Sequence, residues 1–209
     1  MEKNCGEAKV IYFTSDEHFF HNNVISHCSR PFKDIGYMNE ELIRRHNSVV
    51  NSTDTVYHLG DFTLSKTAVT HILPKLNGTH HLIAGNHDAC HPVHAKTPLK
   101  LQNARKKYFD AGFSTIELEA TMTIGGKQVL LSHFPYFDDN PNYDQRYPKL
   151  RPKDEGKILL HGHVHTTWKT KLSSKDTLMI NIGVDQWNFY PVKIEEIEKL
   201  IELDIAMKS

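Results

Sequence analysis

The chain has 209 residues, 39% of them hydrophobic and 24% charged, with 25 Lys plus Arg balancing 25 Asp plus Glu. That length supports one well-cored domain, read here as a single unit over residues 1–209. The charge balance excludes the basic surplus needed for strong nonspecific binding to duplex nucleic acid or to an anionic membrane.

No apolar run reaches membrane-spanning length, and the polar start over residues 1–6 does not read as a secretory signal. Three scattered cysteines, Cys5, Cys28 and Cys90, form no CxxC pair and predict reduced thiols in a cytoplasmic protein. Composition leaves the oligomeric state open. The unusual count is histidine, with 15 copies.

Residues 10–14, VIYFT, predict a short buried strand that runs into SDEHFFHNN. Asn39 is placed to cap a helix over 40–50, with Glu40 and Glu41 in its first turn. A second strand over 55–59 ends in Gly60-Asp61. Ala68, Val69, Ile72 and Leu73 mark a helix stopped by Pro74, and Asn77-Gly78 marks a turn. A third strand, about 80–84, ends in Gly85-Asn86-His87-Asp88, and a helix over 98–111 stops at Gly112.

The second half is mostly strand. Segments 115–119 and 121–124 precede a Gly125-Gly126 hairpin turn into KQVLLSH. A long polar loop covers 134–156. A strand over 157–160 runs into HGHVH, and a core strand covers 178–182. The closing helix spans 192–207, with Pro191 near its start and Ile194, Ile197 and Ile201 on one face. One α/β domain accounts for this order.

Five of these strands end in the same kinds of residue: Asp16-x-His18, Gly60-Asp61, Asn86-His87-Asp88, His133, and His163-x-His165. Taken singly, each is a turn, a cap or a solvated histidine. Taken together, they all follow apolar strands, and the carboxyl ends of neighbouring strands gather in one crevice of an α/β fold. The set offers two carboxylates, one amide and four imidazoles without sulfur. Mixed nitrogen and oxygen donors suit Mn, Fe, Zn, Co or Ni better than Ca or Mg. Seven donors exceed one tetrahedral ion and suit two divalent ions that share a bridging carboxylate, an arrangement used in phosphoryl transfer.

The ordered blocks D-x-H, G-D, G-N-H-D, H and G-H-x-H resemble those of the calcineurin-like metallophosphoesterases, in particular the small single-domain bacterial and phage members. The resemblance covers residues 11–165, and MINIGVD with the last helix extends it. It implies two mixed β-sheets packed as a sandwich and flanked by helices. It implies that Asp16, His18 and His165 hold one ion, that Asn86, His133 and His163 hold the other, and that Asp61 bridges them, with Mn the leading metal.

One position departs from the family pattern, where G-D is commonly followed by x-x-[DN]: here the residue is Leu64. The expected chemistry is attack on a phosphate ester by a metal-bridging hydroxide, with His87 protonating the leaving alkoxide and Asp88 orienting or charging His87. The expected substrate is a small phosphodiester or a nucleotide-type ester, with a phosphomonoester as the alternative. A non-catalytic scaffold or a purely structural metal site are the competing classes, and both sit poorly with a complete ligand set and His87.

His21, Asn22, Arg30 and Arg151 are candidate substrate contacts, arginine because its planar fork suits phosphate. Tyr136, Tyr143 and Tyr147 either stack on a base or pin the long loop. His58 and His161 are candidate supports behind the ligands.

Overall fold

The short β-branched and aromatic runs become the strands of two sheets. The computed structural model describes residues 9–65, 67–136 and 146–208. Among these, the strands are β1 (Ile11–Thr14), β2 (Thr55–His58), β3 (Thr79–Ile83), β4 (Phe113–Glu117), β5 (Glu119–Ile124), β6 (Lys127–Ser132), β7 (Ile158–His161), β8 (Thr170–Leu172), β9 (Leu178–Asn181) and β10 (Val192–Lys193). The helices are α1 (Asn23–His27), α2 (Ile35–Val49), α3 (Val69–Ile72), α4 (Pro98–Ala111) and α5 (Ile194–Lys208).

The first sheet has the order β10-β1-β2-β3-β4 and the second β5-β6-β7-β9-β8. In the first, β1 to β4 are parallel and β10 is antiparallel to β1. In the second, the central pairs β6·β7 and β7·β9 are parallel, while β5 and β8 are antiparallel edges. Both sheets are therefore mixed, and helices flank them.

Strand alternation divides the core. Phe13, Leu59 and Ile83 from the first sheet meet Leu131, Leu160 and Ile180 from the second in the layer between them. Leu82, one residue from Ile83, faces the other way, into a cluster with Met38, Leu42, Val69, Tyr108 and Phe113. Burying each such side chain contributes roughly 1.5–3 kcal/mol.

Several predicted bounds move for identifiable reasons. The second helix begins at Ile35, not 40, because Asp34 Oδ1 accepts the Tyr37 N–H at 2.8 Å and caps it. Asn39 instead lies inside the helix, buried, and its Oδ1 accepts from Phe20 N at 3.2 Å. The buried stripe of this helix is Met38, Leu42 and His46, four residues apart. The helix over Val69–Ile72 ends just before Pro74, which sits in a following 3₁₀ turn, Leu73–Lys75. Residues 192 and 193 form β10 rather than the start of the last helix, since they pair with β1. Helix α4 and its stop at Gly112, φ 123°, lie where the sequence places them.

Behind the first sheet lies a file of buried histidines. His80 Nε2 donates to Leu76 O at 3.3 Å, so His80 Nδ1 accepts from His58 Nε2 at 3.0 Å. His58 Nδ1 is then an acceptor, and the Glu17 carboxyl reaches it at 2.6 Å as the proton donor. Burial holds Glu17 in this neutral form by raising it to about 7. Burial likewise pushes His46, His58, His80 and His161 down to about 3.

In the unfolded chain these imidazoles protonate near the usual 6.5. Between about pH 6.5 and 3 the unfolded state therefore binds four protons that the folded state refuses, and stability falls as pH is lowered. Glu17 and Asp88, both raised to about 7, and Asp16, also raised by burial, act in the opposite sense, as do His133 and His165 above pH 6.5, since they are lifted to about 9 and about 11. His91, lowered to about 4, and His18, lowered well below the imidazole range, join the four, so below pH 6.5 six rings stand against three carboxyls. The urea midpoint of the protein is expected to drop between pH 6.5 and pH 5. A midpoint that rises on acidification would contradict the burial of these rings.

Candidate metal centre

Parallel strands point their carboxyl ends the same way, so the residues after β1, β2, β3, β6 and β7 share one rim. Backbone bonds tie that rim together: Asp16 N to Gly60 O and His18 N to Asp61 O, each 3.0 Å, and Gly162 N to His133 O, also 3.0 Å. An isolated parallel bridge, Ser15 with Gly183, joins the two sheets there.

Five of the rim residues have left-handed backbones: Asp16 (φ 58°), His18 (53°), Asp61 (55°), His163 (71°) and His165 (46°). That conformation is unfavourable for side chains with a Cβ and turns each of them sharply off its strand. Two glycines keep the centre open. A Cβ on Gly60 would lie 2.6 Å from His133 Nδ1, and one on Gly85 would meet Asp61 Oδ1 and lie 2.6 Å from Asp61 N.

The result is two groups of donors. Asp16, His18 and His165 converge in one, and Asp61, His133 and His163 in the other, with the donor atoms of each group within 4.8 Å of one another. Asp61 Oδ2 lies 3.4 Å from His133 Nε2 and 3.6 Å from His18 Nε2, and so adjoins both groups. Asp16 Oδ1 lies 3.9 Å from His165 Nε2 and 4.0 Å from His18 Nε2.

These separations are too long for hydrogen bonds and suit pairs of donors each about 2.0–2.2 Å from a shared ion. His18 Nε2, His133 Nε2 and Asn86 Oδ1 are buried without a hydrogen-bond partner. Buried polar atoms left unsatisfied are costly, and a cation at each donor group would satisfy His18 in one and His133 with Asn86 in the other. The residues present thus fit a pair of divalent cations.

Electrostatics agree. Burial alone would raise Asp61, but the His133, His18 and His87 rings reverse it and hold the carboxylate well below its usual range. Burial opposes charge on His133, yet Asp61 and Asp16 lift it to about 9. Burial lowers His18 well below the imidazole range. The outer nitrogens are also placed: His133 Nδ1 donates to Leu59 O at 2.8 Å, and His165 Nδ1 to Asp185 Oδ2 at 2.9 Å. Such partners fix the ring and its tautomer.

The remaining sequence candidates divide. His87 stands beside the centre, its ring 5.4 Å from His18 and its side chain 40% exposed. Asp88 does not orient it. Asp88 is fully buried and accepts from Asp61 N and Gly85 N, both 2.9 Å, and from Phe62 N at 3.0 Å. It therefore holds the backbone of two ligand turns. Burial, with Asp61 nearby, raises it to about 7.

His21 faces the same cavity, and its Nδ1 lies 3.3 Å from His18 Nδ1. Asn22 is exposed at the start of α1. Arg30 does not face a substrate: it is 4% exposed and directs its donors to Asp185, Asp16 O, Glu17 O and Met38 Sδ. Arg151 is buried and donates to Arg146 O at 3.0 Å.

Tyr136 pins its segment through a 2.7 Å bond to Lys157 O, Tyr147 packs 5.8 Å from the His163 ring, and Tyr143 lies outside the described residues. His161 Nδ1 donates to Gly162 O at 2.7 Å, next to ligand candidate His163. Asp185 closes the MINIGVD segment that extends the resemblance, yet the sequence assigns it no role. A lone carboxylate after a strand looks like a turn residue, and nothing local connects it with His165.

The donors open into a cavity of about 480 Å³ lined by His18, His21, His87, His163, His165 and Trp168, among others. A two-sheet α/β sandwich with paired His/Asp donor groups at its strand ends is a metal-binding, hydrolase-type scaffold. The chain matches the calcineurin-like phosphoesterase superfamily domain over residues 11–190, and it belongs to that family.

Relatives match over most of the chain. An uncharacterized protein, MJ1445, of Methanocaldococcus jannaschii is 32% identical over 199 residues, covering 93% of this chain and 92% of the relative. The Gene 66 protein of Mycobacterium phage L5 is 32% identical over 183 residues, covering 84% and 86%. A crystal structure of AQ665 from Aquifex aeolicus, a protein of unknown function, aligns with TM-score 0.66 and 30% identity over 92% of this chain and 99% of that one. The family is one of metal-dependent phosphoester hydrolysis. No described helix is long and apolar enough to cross a membrane.

Proposed function

We propose that the protein is a two-metal phosphodiesterase acting on a small or nucleotide-type phosphate ester, with Mn as the preferred ion. The observation that carries this reading is the placement of His87, half-exposed at the cavity and 3.9 Å from Asp61 Oδ2, beside both donor groups. Asp16, His18 and His165 would hold one ion and Asn86, His133 and His163 the other, with Asp61 between them. When bound, such a pair supplies an activated water and neutralises charge on the phosphoryl oxygens.

The chain's own residues do the rest. His87 donates its proton to the leaving oxygen. His18 turns Nε2 toward Asp61, so its Nδ1–H points at His21 Nδ1. His21 then keeps Nε2–H as a donor for a phosphate oxygen. Trp168, Arg146 and Lys171 on the cavity wall suit a planar, anionic group beyond the ester. The cavity leaves room for an organic group beyond the phosphate. The free thiols Cys28 and Cys90 accord with the cytoplasm as its compartment.

Turnover of bis-nitrophenyl phosphate above that of nitrophenyl phosphate, in the presence of Mn, is the expected result. The reverse order would make the protein a phosphomonoesterase, and Mn-loaded protein inert to both would make it a scaffold. His87→Ala is expected to leave metal content unchanged and to lower turnover about 10²-fold or more for alkyl leaving groups, and less for nitrophenolate. Equal rates on alkyl esters would remove His87 as the acid.

A further inference from the structure

We propose that Asp185 and Arg30 form a positioning pair that sets the aim and tautomer of His165, and so governs the affinity of one of the two ions. The proposal rests on the metal centre described above.

Asp185 Oδ2 accepts the His165 Nδ1 proton at 2.9 Å, so the lone pair stays on Nε2, the nitrogen 3.9 Å from Asp16 Oδ1. Asp185 cannot swing away. Arg30 grips it with two parallel bonds, Nε to Oδ1 at 2.8 Å and Nη2 to Oδ2 at 2.9 Å, and the two side chains are 0% and 1% exposed.

Arg30 is itself anchored on the opposite ligand turn. Its Nη2 donates to Asp16 O at 2.6 Å and its Nη1 to Glu17 O at 3.0 Å. One guanidinium thus spans from the backbone of Asp16 to the carboxylate behind His165, and fixes the spacing of two ligands of the same ion. Arg30 comes from the segment between α1 and α2. Asp185 comes from the 3₁₀ turn Val184–Gln186, 155 residues away in the chain. Lysine could not reproduce these contacts, because its three donors sit on one nitrogen and lack the planar fork that reaches Asp185, Asp16 O and Glu17 O at once.

The pair is also selective. His133 has a carbonyl, Leu59 O, behind its Nδ1, and His18 has the His21 ring. A carboxylate behind an imidazole strengthens it as a ligand, and removing such a partner typically weakens metal binding 10- to 100-fold. Loss of Asp185 should therefore act on the Asp16/His18/His165 ion and spare the other.

The test is a calorimetric Mn titration of the full chain, followed by its thermal melt. The wild type should bind two ions. Asp185→Asn, which keeps the shape and an acceptor but not the charge, should weaken one step about 10- to 100-fold and leave the other within about threefold. Arg30→Lys, which retains the cation, should weaken the same step by less. Equal weakening of both steps, no change in either, or loss of the fold in both variants overturns the proposal. A wild type that binds no Mn would instead overturn the two-metal reading itself.

Discussion

Asp61→Asn is expected to lower turnover of bis-nitrophenyl phosphate roughly 10³-fold and to abolish the second Mn-binding step. Of all the rim residues, Asp61 has one oxygen near both donor groups: Oδ2 is 3.6 Å from His18 Nε2 and 3.4 Å from His133 Nε2. Its other oxygen accepts the His87 N–H at 2.8 Å and so fixes the backbone of the acid. Asparagine fits the same space and can keep that second bond. It then turns an NH₂ group, with no negative charge, toward two imidazoles whose ions, when bound, would call for an anion between them. The fold should survive, because Asp88 grips the Asp61 main chain, not its side chain. Far-ultraviolet circular dichroism and a urea melt separate the cases. A well-folded variant that keeps two ions and its rate would take Asp61 out of the bridging position.

Much of this centre was legible because its blocks sit directly after apolar strands, and strands carry a period of two that a reader can follow. Parallel pairing brings Asp16, Asp61 and Asn86 to one rim of the first sheet and His133 and His163 to the matching rim of the second, and packing of the sheets joins the two sets. What stayed hidden depends on contacts between distant segments. Arg30 before Pro31 looks like an exposed loop arginine, and its burial follows only once Asp185 arrives from the far end of the chain. Asp88 reads as a partner of its neighbour His87, yet its carboxylate turns back to three main-chain N–H groups. The cap of α2 is Asp34 rather than Asn39, because Asn39 is buried inside the helix and bonds Phe20 N, a contact with a distant segment. Strand β8 is three residues, partly or fully exposed, and has no pattern to read. The left-handed turns at Asp16, His18, Asp61, His163 and His165 carry no glycine to announce them. Their strain is maintained by the surrounding bonds rather than by local preference.

Gly162→Ala should be among the most damaging single-methyl changes in the molecule. A Cβ there would run into Ser15 Oγ and Asp16 Oδ2 and lie 2.9 Å from Ser15 Cβ. Neither neighbour can yield cheaply. Ser15 Oγ is bonded to Leu59 O at 2.8 Å, and the Asp16 carboxylate accepts from His163 N at 3.0 and 3.1 Å. Both are buried where the two sheets join, so relief requires β1 and β7 to separate at the centre. Overpacking of this kind costs about 1–3 kcal/mol, and displacement of Asp16 should weaken the ion site that it would form with His18 and His165. The expected outcome is a lower melting temperature together with loss of one Mn-binding step. Gly36→Ala is the control: it lies in the first turn of α2, 3.3 Å from the nearest atom, and should change stability by less than about 1 kcal/mol. If Gly162→Ala melts with the wild type and binds both ions, the close approach of β7 to the Asp16 turn is wrong, and with it the joint between the sheets on which the donor geometry depends.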